Sequence, residues 1–315
     1  MTLPTVAVIV TCYNQERFIR QALDSILTQT QRADEIVVVD GFSRDRSVAA
    51  IIEWIAENDA PVTFVAHDRN YGLCATLNQA MGLITSDFVV TLYGDDWLEP
   101  GRLETQSALL ATASDDVCMV VSSMREVDRR GIPILVNDFR ARVEPLASLS
   151  PAARVESLVG ENVIPSPAVM VRADRVREVG GYDESLTFDD YDMWMRLLGR
   201  YTFVYEPSVV VDYRILAHSL SRNTDRHGDF LLSEARMIFK HSGTTPTINA
   251  TIRRRLLVTA EKLAERDDSR RLREVLGMVR SIDSSWDMRV ASGASRLPHG
   301  ARLVKSMKLL ESHER

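Results

Sequence analysis

Apolar positions in the first third of the chain alternate between short continuous runs and stripes spaced by three and four. Thr5 to Val10 is almost wholly apolar, the pattern of a parallel strand buried on both faces. Phe18, Ile19, Ala22, Leu23, Ile26 and Leu27 then recur at helical spacing. Glu35 to Val39 is a second short run. Val48, Ile51, Ile52 and Ile55 mark a second helix, which Asn58-Asp59-Ala60-Pro61 ends. Val62 to Ala66, Leu73 to Leu83 and Phe88 to Leu92 continue as strand, helix and strand. Further strands are expected at Val117 to Ser122, Ala168 to Val171, Phe203 to Tyr205 and Val209 to Tyr213. Arg129-Arg130-Gly131 reads as a turn into Ile132 to Leu135, and residues 136–160 follow neither period.

From about Asp229 the spacing is helical, through Leu231, Leu232, Ala235, Ile238 and Phe239, then Leu256 to Leu263 and Leu272 to Val279. Pro298-His299-Gly300 sets off a last amphipathic segment, Leu303 to Leu310. The pattern predicts an α/β domain over residues 1–222, built on a doubly wound, mostly parallel sheet, and a helical C-terminal extension over residues 223–315. Ligands belong at the carboxyl ends of such strands.

With 315 residues and 45% apolar content, the chain has ample material for a core. A net charge of −6 argues against nucleic acid as a partner. The mean hides an asymmetry: residues 251–315 carry 15 Lys/Arg against 9 Asp/Glu. Met307, Leu309 and Leu310 beside Arg302, Lys305 and Lys308 suit a peripheral membrane contact, a homodimer contact or packing on the catalytic domain. Cys12, Cys74 and Cys118 are too scattered for a disulfide framework or a zinc site, which favours a reducing compartment. No run approaches the roughly 18 apolar residues of a membrane span. A cytoplasmic protein is expected, with the inner face of the membrane as the place of any peripheral contact.

Four strand ends finish in polar groups: Thr11-Cys12-Tyr13-Asn14, Asp40-Gly41-Phe42-Ser43, His67-Asp68-Arg69-Asn70, and Gly94-Asp95-Asp96. In a parallel sheet these tips share one edge. A carboxylate such as Asp40 accepts hydrogen bonds from a base or ribose, Tyr13 offers a stacking face, and the aspartate pair suits a hard cation on a diphosphate. Each feature alone is ordinary turn chemistry; the convergence of four is less ordinary. No phosphate-cradling glycine loop opens the first helix, so ATPase and nicotinamide-dehydrogenase readings lack their main device. Farther on, Asp189 and Asp190 precede the apolar stripe of Met193, Trp194, Leu197 and Leu198. One aspartate there is explained as a helix cap; a second leaves a carboxylate for general-base work.

In this order the motifs resemble family 2 glycosyltransferases of the GT-A fold. Val8 to Asn14 is similar to the family's opening V-I-I-P-T-Y-N, and Ile36 to Asp40 with Ser43 and Asp45 to its V-V-V-D-D-G-S-x-D. Asn70-x-Gly72 with Asn78, Tyr93 to Asp96, Pro100 to Leu103, and Gly180 to Glu184 with Asp189 to Trp194 continue the match, over roughly residues 5–222. The resemblance implies an inverting transfer of a sugar from a nucleoside diphosphate, expected to be UDP, to a hydroxyl of a glycan or lipid-linked acceptor. It implies Thr11, Cys12, Tyr13, Asp40, Asn78 and Asp95 at the nucleotide, and Asp96, with Asp95 and His218, at Mn²⁺ or Mg²⁺. Asp190 would be the general base, with Asp189 orienting the acceptor. Departures are Gly41-Phe42 in place of the second aspartate of D-D-G-S, Tyr93 in place of the first aspartate of D-x-D, and His218 two residues late after Tyr213-Arg214. The competing expectation is a non-catalytic nucleotide-sugar binder or scaffold on the same fold.

Overall fold

The computed structural model describes residues 4–216 and 227–282. The N-terminal region alternates as its apolar runs demand: β1 (Val6–Cys12), α1 (Ile19–Leu27), β2 (Glu35–Asp40), α2 (Ser47–Asn58), β3 (Val62–Ala66), α3 (Leu73–Met81) and β4 (Phe88–Tyr93). A two-residue β5 (Trp97–Leu98) and α4 (Arg102–Thr112), neither evident from periodicity, precede β6 (Val117–Val127) and β7 (Pro133–Asn137). The stretch without a decisive period becomes α5 (Arg140–Ala147) and α6 (Pro151–Gly160). Then come β8 (Val169–Arg172), α7 (Ala173–Glu178), α8 (Asp190–Leu198) and β9 (Thr202–Arg214). The two strands expected between Phe203 and Tyr213 are this single β9, whose pairing with β6 shifts register between Ser122 and Ser123. The irregularity falls near Pro207, which has no backbone N–H for a ladder.

The strand order is β3-β2-β1-β4-β8-β6-β9-β5, with β7 pairing on β6. Strands β3, β2, β1 and β4 form the parallel half. Strand β8 runs antiparallel between β4 and β6, while β6 and β9 are parallel to each other. All seven residues of β1 are buried, which is why its run shows no alternation. Ile19, Leu23 and Ile26 of α1 and Ile51 and Trp54 of α2 join Val6, Val8, Val10, Ile36 and Val38 in the main core. The indole of Trp54 donates to Asp24 Oδ1 at 2.7 Å, so its one polar atom is satisfied there.

Among the described residues, 4–155, 162–184 and 188–216 form one compact unit, and 156–161, 185–187 and 227–282 a second. In the second, α9 (His227–Phe239), α10 (Pro246–Glu265) and α11 (Ser269–Ile282) bury Leu231, Ile238, Ile252, Leu256, Leu263, Leu272 and Val279. Thr245 caps α10 by accepting from the Ile248 N–H at 3.1 Å, with Pro246 at the first helical position. Arg255 pairs with Glu234 and donates to the Val159 carbonyl at 2.7 Å. His218 and the amphipathic segment Leu303 to Leu310 lie outside the described residues. Among the described residues no helix is long and apolar enough to cross a membrane.

Candidate active site

The strand tips are tied to one another through the backbone. Cys12 pairs in register with Asp40, and Thr11 with Tyr93. Strands β2 and β4 thus flank β1, and their tips stand about 10 Å apart, two strand spacings. The Gly41 N–H donates to the Cys12 carbonyl at 2.8 Å and the Gly94 N–H to the Thr11 carbonyl at 2.9 Å. Thr11 and Cys12 therefore knit three tips together through their carbonyls. The Cys12 side chain is buried, and burial pushes its thiol up to about 12, so it is no nucleophile. Tyr13 is 44% exposed and offers its ring to a ligand. Gly94 is where the approach is closest. A Cβ there would stand 2.6 Å from Gln15 Oε1, 3.0 Å from Ile19 Cδ1 and 3.2 Å from the Thr11 carbonyl oxygen.

Asp40 is buried, and its carboxylate shapes its own loop. It accepts from the Phe42 and Ser43 N–H groups at 3.1 and 2.8 Å and from the Ser43 hydroxyl at 2.5 Å. These bonds hold Phe42 at φ 78°, where L-residues are rarely found. The loop joins the first tip as well: Ser43 Oγ accepts from the Asn14 N–H and Asn14 Oδ1 from the Arg44 N–H, at 2.8 and 2.7 Å.

At the fourth tip the two aspartates differ. Asp95 is half-buried and its Oδ1 accepts from Gln15 Nε2 at 2.8 Å. Asp96 is 2% exposed; its Oδ1 accepts from the Arg214 N–H at 2.8 Å, and its Oδ2 has no hydrogen-bond partner. Desolvation raises the pKa of both, and the neighbouring Asp95 charge adds to the rise at Asp96. Asp95, not Asp96, is thus the more accessible carboxylate. An orphaned buried acceptor beside a second carboxylate is a donor set that fits a hard cation shared with a diphosphate. Among the described residues there is no cluster of three or more metal-ligating side chains, so oxygens from the ligand or water would complete the shell.

Two arginines back this tip. Arg214 is buried and directs its guanidinium to the Asp95 carbonyl (2.8 Å), the Arg129 carbonyl (2.8 Å) and Gln21 Oε1 (2.7 Å). It lies between the rings of Phe18 and Trp97, at 4.5 and 4.8 Å. Arg102 is also buried; desolvation lowers it to about 9, against the opposing pull of Asp96.

The acidic pair at the start of α8 is joined to the same rim. Asp189 makes no side-chain cap; instead its Oδ2 accepts from the Tyr93 hydroxyl at 2.7 Å, which also meets Ser166 Oγ at 3.0 Å. Burial, reinforced by the Asp190 charge, pushes Asp189 up to about 7. Asp190 accepts from Asn162 Nδ2 at 3.1 Å, and its pKa is likewise raised, first by desolvation. A small cavity lies against Asp189, lined by Thr91, Ser166, Tyr182 and Trp194.

Asn78 is placed differently from its expected neighbourhood at the nucleotide. Its amide accepts from the Tyr182 N–H at 2.7 Å and donates to the Tyr182 carbonyl and to Glu184, both at 2.9 Å. It clamps the Gly180–Tyr182 turn, where Gly181 (φ 72°) has no room for a Cβ, which would come within 2.6 Å of Asn78 Oδ1. Periodicity missed Gln15, Asn162, Ser166 and Arg214. Of these only Arg214 had a signal, the Tyr213-Arg214 pair that follows α8 in the chain.

This is the GT-A fold, and the candidate site is a rim of carboxylates at strand ends and at the start of α8. The sequence model described as Glycosyl transferase family 2 matches residues 7–143. The amylovoran biosynthesis glycosyltransferase AmsE of Erwinia amylovora is 28% identical over 201 residues, 61% of this chain and 69% of that protein. The mannosyltransferase PcManGT of Pyrobaculum calidifontis, solved with GDP-Man and Mn²⁺, superposes with a TM-score of 0.58 at 19% identity, covering 97% of this chain and 80% of that one. Residues 1–349 of TarS from S. aureus, solved with UDP-GlcNAc, give 0.58 at 16% identity, over 93% and 91%. Against one archaeal and two rickettsial relatives, the chain spans 72%, 36% and 64% of their lengths. Residues 7–143 thus match the glycosyltransferase family 2 model, and the relatives that align with the chain are glycosyltransferases.

Proposed function

We propose that the chain transfers a sugar, with inversion, from a nucleoside diphosphate, UDP in the first instance, to a hydroxyl of a glycan or lipid-linked saccharide. The observation that carries this reading is the chain of contacts along one rim: Gln15 to Asp95 at 2.8 Å and Tyr93 to Asp189 at 2.7 Å. It brings the donor-side tips of β1 and β4 together with the acidic pair of α8. Tyr13 and the Asp40 loop hold the nucleobase side. Asp95, with Asp96 behind it, would hold Mn²⁺ or Mg²⁺; when bound, that ion neutralises charge on the departing diphosphate. Asp190 accepts the acceptor's proton as its oxygen attacks the anomeric carbon. Asn162 fixes the orientation of Asp190, and Asp189, held by Tyr93, sets the charge beside it. A single displacement with one base inverts the anomeric centre.

Titration of the protein with UDP- and GDP-sugars in Mn²⁺, read as a rise in melting temperature, tests the donor assignment, since a ligand that binds only the folded state stabilises it. Asp190→Asn is expected to lose ~10²–10⁴-fold in turnover while keeping the donor-induced shift. Donor binding without turnover in the parent chain would favour the scaffold reading. Asp190→Asn turning over at the parent rate would remove Asp190 from the role of base.

A further inference from the structure

The cavity beside Asp189 has about 10 Å³ open to the centre of a water molecule, which is room for one water and nothing larger. Valines of β4 and β8 form its apolar wall, Val171 among them. Thr91, Ser166, Asp189 and Trp194 contribute polar side chains to the rest of the lining. A wholly apolar cavity stays dry, whereas a polar one of this size suits a water with two to four hydrogen-bond partners.

Trp194 is 4% exposed, and among the described residues its indole N–H has no hydrogen-bond partner. Trp54, by contrast, donates to Asp24, as a buried indole ordinarily finds an acceptor. Side chains on a helix lean toward its N-terminus, so Trp194 covers the turn of α8 that opens with Asp190, next to Asp189. Asp189 is 8% exposed, and the Tyr93 hydroxyl occupies one of its oxygens at 2.7 Å. A carboxylate has about four acceptor positions, so Asp189 can take a further donor. The hydroxyls nearby already have partners: Ser166 Oγ meets the Tyr93 hydroxyl at 3.0 Å, and Thr91 bonds Tyr182. One cavity thus has on its walls a buried donor that lacks an acceptor and a buried acceptor with capacity to spare.

We infer that this cavity binds one water, which accepts from the Trp194 indole and donates to the Asp189 carboxylate, and that Trp194 is thereby a positioning residue for Asp189. A water bridge of this kind is nearly as favourable as a direct hydrogen bond. Asp189 is then held on two sides, by Tyr93 directly and by Trp194 through the water. The positioning role rests on the transferase reading given above; the water site does not.

Two variants of the full chain remove the water by different routes. Trp194→Phe deletes the indole N–H, and Val171→Ile adds a methyl group to a space that holds one water. Each should lower kcat for sugar transfer about 3- to 10-fold, the effect of one lost hydrogen bond, with the donor KM unchanged. The spectroscopic signature is the Trp194 indole N–H resonance, assigned by its absence from Trp194→Phe. In the parent it should show cross-relaxation with a bound water; in Val171→Ile the resonance should persist and lose that cross-relaxation. The parent spectrum decides the water site whether or not either variant folds: no cross-relaxation there means a dry cavity and overturns the proposal. Lower melting temperatures with parent kcat in both variants would make Trp194 a packing residue only and overturn the positioning role. A parent that shows the bound water yet transfers no sugar refutes the transferase reading, and the positioning role with it, while the water site stands.

Discussion

Replacing Tyr93 by Phe removes one oxygen from the site and nothing else. That hydroxyl donates to Asp189 at 2.7 Å, and it opposes the burial and the Asp190 charge that together push Asp189 up to about 7. A hydrogen bond to a charged acceptor is worth about 1.5–3 kcal/mol, and 1.36 kcal/mol corresponds to one pKa unit. Its loss should therefore raise Asp189 by about one to two units. An ionised Asp189 makes the adjacent Asp190 a stronger base, so transfer by the parent should rise through about pH 7 as Asp189 loses its proton. In Tyr93→Phe the same rise should lie about one to two pH units higher, leaving the rate at pH 7 about 5- to 50-fold lower. At high pH the two proteins should converge. The assay is kcat/KM for sugar transfer across pH 5.5 to 9.5, roughly the span over which such a carboxyl titrates. A Tyr93→Phe profile that is lower by one constant factor at every pH would refute the reasoning, because it would mean that Tyr93 only packs.

Two further outcomes follow from the same geometry. Gly94→Ala should destabilise the protein by about 1–3 kcal/mol and weaken the donor-induced melting shift, because the new methyl displaces Gln15 from Asp95; urea unfolding midpoints measure the first effect. Asp189→Asn should stabilise the protein above pH 7. The folded-state pKa of Asp189 lies above its ordinary 3.8, so its contribution is favourable below that value and is lost as pH rises through about 7. The cost at higher pH is up to about 4 kcal/mol, and removing the ionisable group removes it. Melting curves at pH 4 and pH 8 should show the variant's advantage only at the higher pH.

The half of the sheet that was legible in the sequence is the half that obeys one simple rule. Strands β1, β2 and β4 are continuous apolar runs because both faces are covered, the edge strand β3 is a short run only partly buried, and the helices between them carry one stripe each. The antiparallel insertion of β8 could not be read from four residues of Val-Met-Val-Arg, since periodicity carries no information on direction. Strand β9 appeared as two because Glu206, Pro207 and Ser208 interrupt its apolar run, although the chain stays extended through the interruption. Of the site residues, the aspartates announced themselves by type and by position at strand ends. The difference in exposure between Asp95 and Asp96 did not, because it depends on which carboxylate the Arg214 backbone meets. Asn78 was attractive as the last residue of the Asn70-x-Gly72…Asn78 resemblance, yet its amide answers a glycine turn about one hundred residues away. Such pairings are set by tertiary packing and leave no local trace.

Arg214 has a mechanical consequence. Its single guanidinium holds the Asp95 carbonyl, the Arg129 carbonyl in the β6–β7 turn and Gln21 on α1. A displacement of that turn would have to be shared by the loop that carries Asp95 or else lengthen one of these hydrogen bonds. The β6–β7 turn, the loop that carries Asp95 and helix α1 therefore share a single anchor, and loss of that one guanidinium would release all three together.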